Sequence, residues 1–190
     1  MGNLREYFRG LRIRDIINET NEIIAYKKVE RPESVGCSII LLDRRGKIIL
    51  GTRTDYPDGV LKKIIESGHE LKWTNAGGGL ENGESPVYCI IRELKEEFGI
   101  EAGKQTTHLE VVGYNNNYYL KNRWVKCRRD FIFIASLKDN VTMKNFIPQE
   151  GEIGEIKSFF KSEIMDMIIQ DKIHKSTKNS ILMAIKLGYL

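Results

Sequence analysis

Apolar positions change their period along the chain, and each change marks an element. Between Ser85 and Gly99, Val87, Ile90, Ile91, Leu94 and Phe98 recur at three- and four-residue steps, the period of a helix with one buried face. Ser85 suits the N-cap, Pro86 the first helical position, and Gly99 the left-handed residue that ends a helix. Cys37–Leu42 and Lys47–Arg53 are short β-rich runs around Asp43-Arg44-Arg45-Gly46, a hairpin signal. Thr107–Tyr119 and Arg123–Leu137 read as two longer strands joined near Leu120–Asn122. In the second, Phe131, Phe133 and Ala135 alternate with Ile132, Ile134 and Ser136, as in a strand buried on both faces. Ser162–Gln170 and Thr177–Leu187 read as two closing helices, capped by Ser162 and by Ser176 or Thr177.

Nearer the N-terminus the pattern thins. Leu4, Phe8 and Leu11 suggest a short amphipathic helix, Ile23, Ile24 and Tyr26 a short strand, and Pro32 a boundary. This divides the chain into an extension, residues 1–34, and a main domain, residues 35–190. The extension packs on the core, mediates a homodimer or caps the substrate, and packing is the plainest of the three. Thr54–Leu71 is longer than a strand connection needs, holds a turn of helix at Lys62–Ser67, and suits a lid over a base or sugar. His69 within it reads as an exposed residue rather than a ligand.

Composition narrows the class. With 190 residues, 41% hydrophobic and 29% charged, the chain can build one domain with a real core. A net charge of +4 fits a protein that handles anionic substrates and is too small to imply nucleic-acid binding. Cys37, Cys89 and Cys127 lack zinc spacing and read as reduced thiols of a cytoplasmic protein. No apolar run reaches membrane-spanning length and no signal peptide opens the chain, so no membrane partner is expected.

The polar side of the central helix is where chemistry enters. Glu96 and Glu97 follow Glu93 at i+3 and i+4, spacings at which like charges repel by roughly 0.2–0.5 kcal/mol per pair. Glu96 and Glu97 also lie in the last turn, where the helix dipole disfavours anions by roughly 0.3–1 kcal/mol each. Arg92 and Lys95 offset part of this. A divalent cation reverses the sign of the arrangement, because hard Mg²⁺ or Mn²⁺ takes carboxylate oxygens; a solvated acidic helix end is the alternative. Gly77, Gly78, Gly79 and Gly83 precede the helix and let backbone approach a ligand closely.

Gly78, Glu84, Arg92, Glu93, Leu94, Glu96, Glu97, Gly99 and Ile100 fill every specified position of the pattern Gx5Ex7REUxEExGU, where U is aliphatic. The stretch resembles the Nudix box, and the chain from about Val35 to Ile168 resembles a MutT-like Nudix domain. The resemblance implies an α/β/α sandwich with a mixed sheet and a Mg²⁺- or Mn²⁺-dependent hydrolase of diphosphate linkages. Glu93, Glu96, Glu97 and the Gly77 carbonyl become the metal ligands. Arg92, between Glu84 and the helix acids, becomes the residue that orients them. The base is then Glu93 or Glu152, the latter in the acidic loop Gln149–Ile156, with Glu150 and Glu155 as rivals. Substrate contacts implied in the same way are Arg53, which ends the second strand, Gly78, Trp73 just before the glycines, Tyr118 and Arg128.

Lys121, Arg123, Lys126, Arg128 and Arg129, interleaved with Tyr118, Tyr119 and Trp124, form a basic ribbon that suits a nucleotide or an RNA 5′ end. A charged edge hairpin is the plainer reading. Among nucleotide-type substrates a nucleoside triphosphate, oxidised forms included, leads by elimination, with an RNA 5′ end or a dinucleoside polyphosphate next. A non-enzymatic nucleotide sensor of the same fold would have lost box carboxylates, all present here. Isopentenyl diphosphate isomerase shares the fold but is disfavoured, since no cysteine stands in a suitable context.

Overall fold

The computed structural model describes residues 34–56, 59–121, 124–148 and 151–190. The expected N-terminal extension lies outside the described residues, except Ser34, which begins β1. The elements are β1 (Ser34–Leu42), β2 (Ile48–Arg53), α1 (Val60–Glu66), β3 (Trp73–Thr74), α2 (Pro86–Phe98), β4 (Glu110–Lys121), β5 (Trp124–Ser136), a 3-10 turn (Met143–Asn145), β6 (Ile153–Phe159), α3 (Lys161–Ile169) and α4 (Lys175–Lys186). No helix among them is long and apolar enough to cross a membrane.

The strands form one mixed sheet in the order β3-β2-β1-β5-β4, with β6 on β2. β1 and β5 run parallel, from Ser34 opposite Arg128 to Leu42 opposite Ser136. The β1–β2 hairpin closes as its sequence suggests, with the Asp43 carboxylate accepting from the N–H groups of Arg45 (2.8 Å) and Lys47 (2.9 Å).

Strand alternation divides the core in two. Cys37, Ile39 and Leu41 face the same side as Phe131, Phe133 and Ala135, where Val87, Ile90, Leu94 and Phe98 of α2 cover them. Ile40, Ile132 and Ile134 face the other side, against Ile164 of α3 and Ile181 and Ala184 of α4. Helices on both faces of a mixed sheet make the expected α/β/α sandwich. Each fully buried Ile, Leu or Phe contributes about 1.5–3 kcal/mol by leaving water. β5 lies between β1 and β4, which is why its apolar residues alternate without a polar face.

Toward its start, β1 bonds to the glycine stretch instead of to β2. The N–H groups of Cys37 and Ile39 donate to the carbonyls of Gly78 and Ala76 (both 2.9 Å), and Leu80 N–H donates back to Val35 (3.0 Å). The glycines are thereby held alongside β1 and beneath α2.

Two expectations change. The caps of α3 and α4 are Phe160 and His174, not Ser162 and Ser176 or Thr177. Thr177 is drawn inward instead, donating to Asn75 Oδ1 (2.7 Å) and accepting from Asn75 N–H (3.2 Å), so a tertiary partner outcompetes the local cap. One residue of the basic ribbon also departs from a charged edge. Arg129 shares the face of Phe131 and is 1% exposed, with Nε on Asn116 Oδ1 (3.0 Å) and its guanidinium over the Tyr114 ring. The side chains of residues 118–126 lie outside what the structure describes.

Candidate active site

The scaffold of the site is α2. Ser85 Oγ accepts from Tyr88 N–H (3.4 Å), Pro86 takes the first position, and Gly99 ends the helix at φ 68°. A side chain at Gly99 would also strike the Ile147 backbone. With its apolar face fixed on the sheet, α2 turns Arg92, Glu93 and Glu97 toward the glycine stretch.

Arg92 spends its whole guanidinium there. Nε and Nη2 donate to both oxygens of Glu84 (3.0 and 2.9 Å), Nη1 to Glu93 (2.8 Å) and Glu96 (3.0 Å), and Nη2 also to the Gly79 carbonyl (3.1 Å). Glu84 holds the Arg92 pKa above its usual value, and Arg92 in turn lowers that of Glu84. The repulsion expected among three acids is thus absorbed for Glu93 and Glu96, and Glu97 is left outside the arrangement. Glu93 is 8% exposed, and burial raises its pKa against the pull of Arg92. Gly78 has no room for a side chain, because a Cβ there would collide with the Glu93 carboxylate.

Glu97 has another partner. Its Oε2 accepts the Gly77 N–H at 2.6 Å. Burial nonetheless pushes its pKa up to about 8, with Glu93, Glu152 and Asp55 adding negative charge nearby.

A cavity of about 520 Å³ opens beside these groups. Of the residues expected in the site, Gly77, Gly78, Glu93, Glu97, Arg53, Arg128 and Glu152 line it. Arg53 binds Asp55 (2.5 and 2.9 Å) and approaches His174 Nε2 at 3.5 Å. Arg128 donates to the Gly78 carbonyl (2.7 Å) and to Asp130 (2.6 Å). Three expected residues are not brought in. Arg92 stands behind the carboxylates, and Glu96 faces away, held by Arg92. Trp73 packs edge-on against Phe159 (4.8 Å between centroids) in the second core cluster. The Trp73 backbone has a different use: its carbonyl accepts the His174 N–H (2.9 Å) and places that residue at the cavity. Tyr118 sits on β4 opposite Cys127, its side chain outside the described set, and Glu150 lies outside the described residues.

Asp55, Asn75, Asn117, Asp130, His174, Lys175, Ser176 and Ser180 also line the cavity and had no motif to announce them. The one usable sign was the polar run His174-Lys175-Ser176 at the start of an apolar-periodic helix.

Comparison with known proteins agrees with this architecture. A family model described as a NUDIX domain matches residues 32–180. An RNA pyrophosphohydrolase of Gluconobacter oxydans (strain 621H) is 31% identical over 70 residues, 37% of this chain and 34% of that protein, so the match spans about a third of that relative's length. Among solved structures, the NUDIX domain of Shewanella oneidensis NrtR in complex with ADP ribose superposes with a TM-score of 0.58 at 14% identity, over 88% of this chain and 97% of that one. A Caenorhabditis elegans (C. elegans) Ap4A hydrolase binary complex superposes with a TM-score of 0.54 at 17% identity, over 82% and 96%. At these identities the structural likeness speaks for the fold.

Proposed function

Because the chain belongs to the Nudix hydrolase family, we propose that it hydrolyses the diphosphate linkage of a nucleoside diphosphate joined to another group, with a nucleoside triphosphate, oxidised forms included, as the first candidate. The observation that carries this reading is the crowding of Glu93, Glu97 and Glu152 in one cavity, with Glu97 pushed up to about 8 by burial and by its acidic neighbours. Such a set is disfavoured until a cation shares it.

The donors fit Mg²⁺ or Mn²⁺, being hard carboxylate and carbonyl oxygens. Among the described residues no three His, Cys, Asp or Glu side chains make up a metal-holding set by themselves. Mg²⁺ commonly takes one or two carboxylates and completes its shell with waters and substrate phosphate. Glu97, Glu93 and the Gly77 carbonyl would hold the ion, with Glu96 joining once its ion pair to Arg92 opens. When bound, the ion would neutralise phosphate charge and lower the pKa of an attacking water.

The chain's own groups divide the remaining work. Glu152 is the base that takes the water's proton, since its carboxylate has no hydrogen bond or ion pair among the described residues. Glu93, the other candidate, has Oε1 engaged by Arg92. As the water oxygen bonds to one phosphorus, the bridging P–O bond on the far side breaks and a phosphate leaves. Arg53 stands where it can turn from Asp55 to the phosphates, and Arg92 fixes the carboxylates. An RNA 5′ end is a second reading, supported by the name of the Gluconobacter relative.

The test is a screen of nucleoside triphosphates, dinucleoside polyphosphates, nucleotide sugars and 5′-triphosphorylated RNA with Mg²⁺ and Mn²⁺, products identified by mass. Glu152→Gln should lower kcat by about a hundredfold or more while the metal-induced rise in melting temperature persists. Intact substrates throughout the screen with wild-type protein would remove the reading.

A further inference from the structure

The proposed hydrolysis uses one end of the cavity and leaves the other unassigned. α2 and α4 lie on opposite faces of the sheet, and the cavity reaches both, since His174, Lys175, Ser176 and Ser180 line it together with Glu93 and Glu97. α4 is a 12-residue helix, and no side chain caps its N-terminus. Its first N–H groups have no partner within the helix, and the dipole makes that end attractive to an anion. Lys175 is exposed there and pairs with no carboxylate among the described residues. Arg53, which the hydrolytic reading also uses, stands between the two ends, with Nε and Nη2 on Asp55 and Nη1 3.5 Å from His174 Nε2.

An independent observation lies in Asn75, which lines the same end and is 5% exposed. Thr177 occupies its Oδ1, while its Nδ2 is buried with no hydrogen-bond partner. A buried amide donor left unpaired is costly, and an acceptor carried into the cavity by a ligand would relieve it. Ser38 and Ser180, hydrogen-bonded to each other at 3.2 Å, give the wall between the two ends hydroxyls rather than an apolar surface.

We propose that the α4 end is a subsite for a phosphoryl group that the substrate carries in addition to the diphosphate that is cut, making the preferred substrate a phosphorylated sugar that bears a diphosphate. This rests on the reading of the carboxylate end as the hydrolytic one. The additional phosphate sits at the α4 N-terminus between Lys175 and Arg53, an acceptor meets Asn75 Nδ2, and the sugar hydroxyls lie along Ser38 and Ser180.

The test uses ribose 5-phosphate as probe, titrated into the full chain with chelator present, while the Asn75 side-chain amide and His174 ring signals are followed by NMR. Ribose 5-phosphate should move both sets of signals and ribose should move neither. Lys175→Glu, at an exposed position that leaves melting unchanged, should weaken the probe by about tenfold or more, and Glu97→Gln should not weaken it. Wild-type affinity in Lys175→Glu, loss of binding in Glu97→Gln, or an unmoved Asn75 amide would each overturn the subsite. Because the assay contains no metal and no turnover, a failed hydrolase screen leaves this result readable, and the reverse holds as well.

Discussion

α2 and α4 meet the same cavity with opposite electrostatics. α2 presents Glu93 and Glu97 from its C-terminal half, where its dipole is already negative. α4 presents an uncapped N-terminus, where the dipole is positive, flanked by Lys175 and Arg53. In each case side-chain charge and dipole have the same sign, so neither helix relieves its own field. A helix built only for stability has the two opposed, as Lys95 and Lys186 do in the last turns of these helices. The lesson is that each end gathers charge of one sign, which is what the proposed cation at α2 and the proposed anion at α4 would offset.

The largest expected effect is at the α2 end. Glu97→Gln should lower turnover by roughly two or more powers of ten, as for a lost metal ligand. In chelator it should melt at about the wild-type temperature below about pH 8 and above it at higher pH, because the amide is neutral throughout, as protonated Glu97 is below about 8, and its oxygen still accepts from Gly77 N–H. Initial rates beside melting curves decide this; a chelated variant that melts far below wild type would make Glu97 a structural anchor. Arg92→Ala should act on stability first, by about 3 kcal/mol, since it strands three partly buried carboxylates that the guanidinium now holds. Denaturant unfolding with chelator measures it, and an unchanged midpoint would mean that water replaces Arg92 without cost.

The two ends were not equally legible in the sequence. The α2 end is local: loop, helix, caps and carboxylates follow one another in a single stretch, so spacing alone placed Glu93 and Glu97 on one side and Val87, Ile90 and Leu94 on the other. Even there, the bridging of Glu93 and Glu96 by Arg92 depended on rotamers that spacing does not give. The alternation in β5 likewise announced an interior strand, yet not that Arg129 would be carried into the core beside Phe131. The α4 end is assembled from distant segments, with Asn75 tied to Thr177 and Ser38 to Ser180. No periodicity joins positions so far apart. Ser176 and Thr177 looked like caps because a cap is the best local use of such residues; Thr177 is instead taken by distant Asn75, and Ser176 by the neighbouring His174 ring.

The smallest effect is a pH dependence, and its sign should differ between the two ends. Folding raises the Glu97 pKa from 4.5 to about 8, chiefly by burial. Between those values the folded chain binds more protons than the unfolded one, so stability falls as pH rises. The contribution is complete below 4.5 and is lost as pH climbs through about 8. His174 goes the other way: burial, with help from Arg53 and Lys72, lowers its pKa from 6.5. Its contribution is complete above 6.5 and is lost as pH falls through the lowered value. Chelated wild type should therefore melt a few degrees higher at pH 6.5 than at pH 8.5 through Glu97 alone, and the Glu97→Gln difference curve should isolate that slope. His174→Asn should flatten the acidic side and leave the basic side intact. Added Mg²⁺ should restore the melting temperature at pH 8.5 more than at pH 6.5, because the cation then competes with fewer protons for the carboxylate. Two variants whose difference curves slope the same way would break the contrast between the ends.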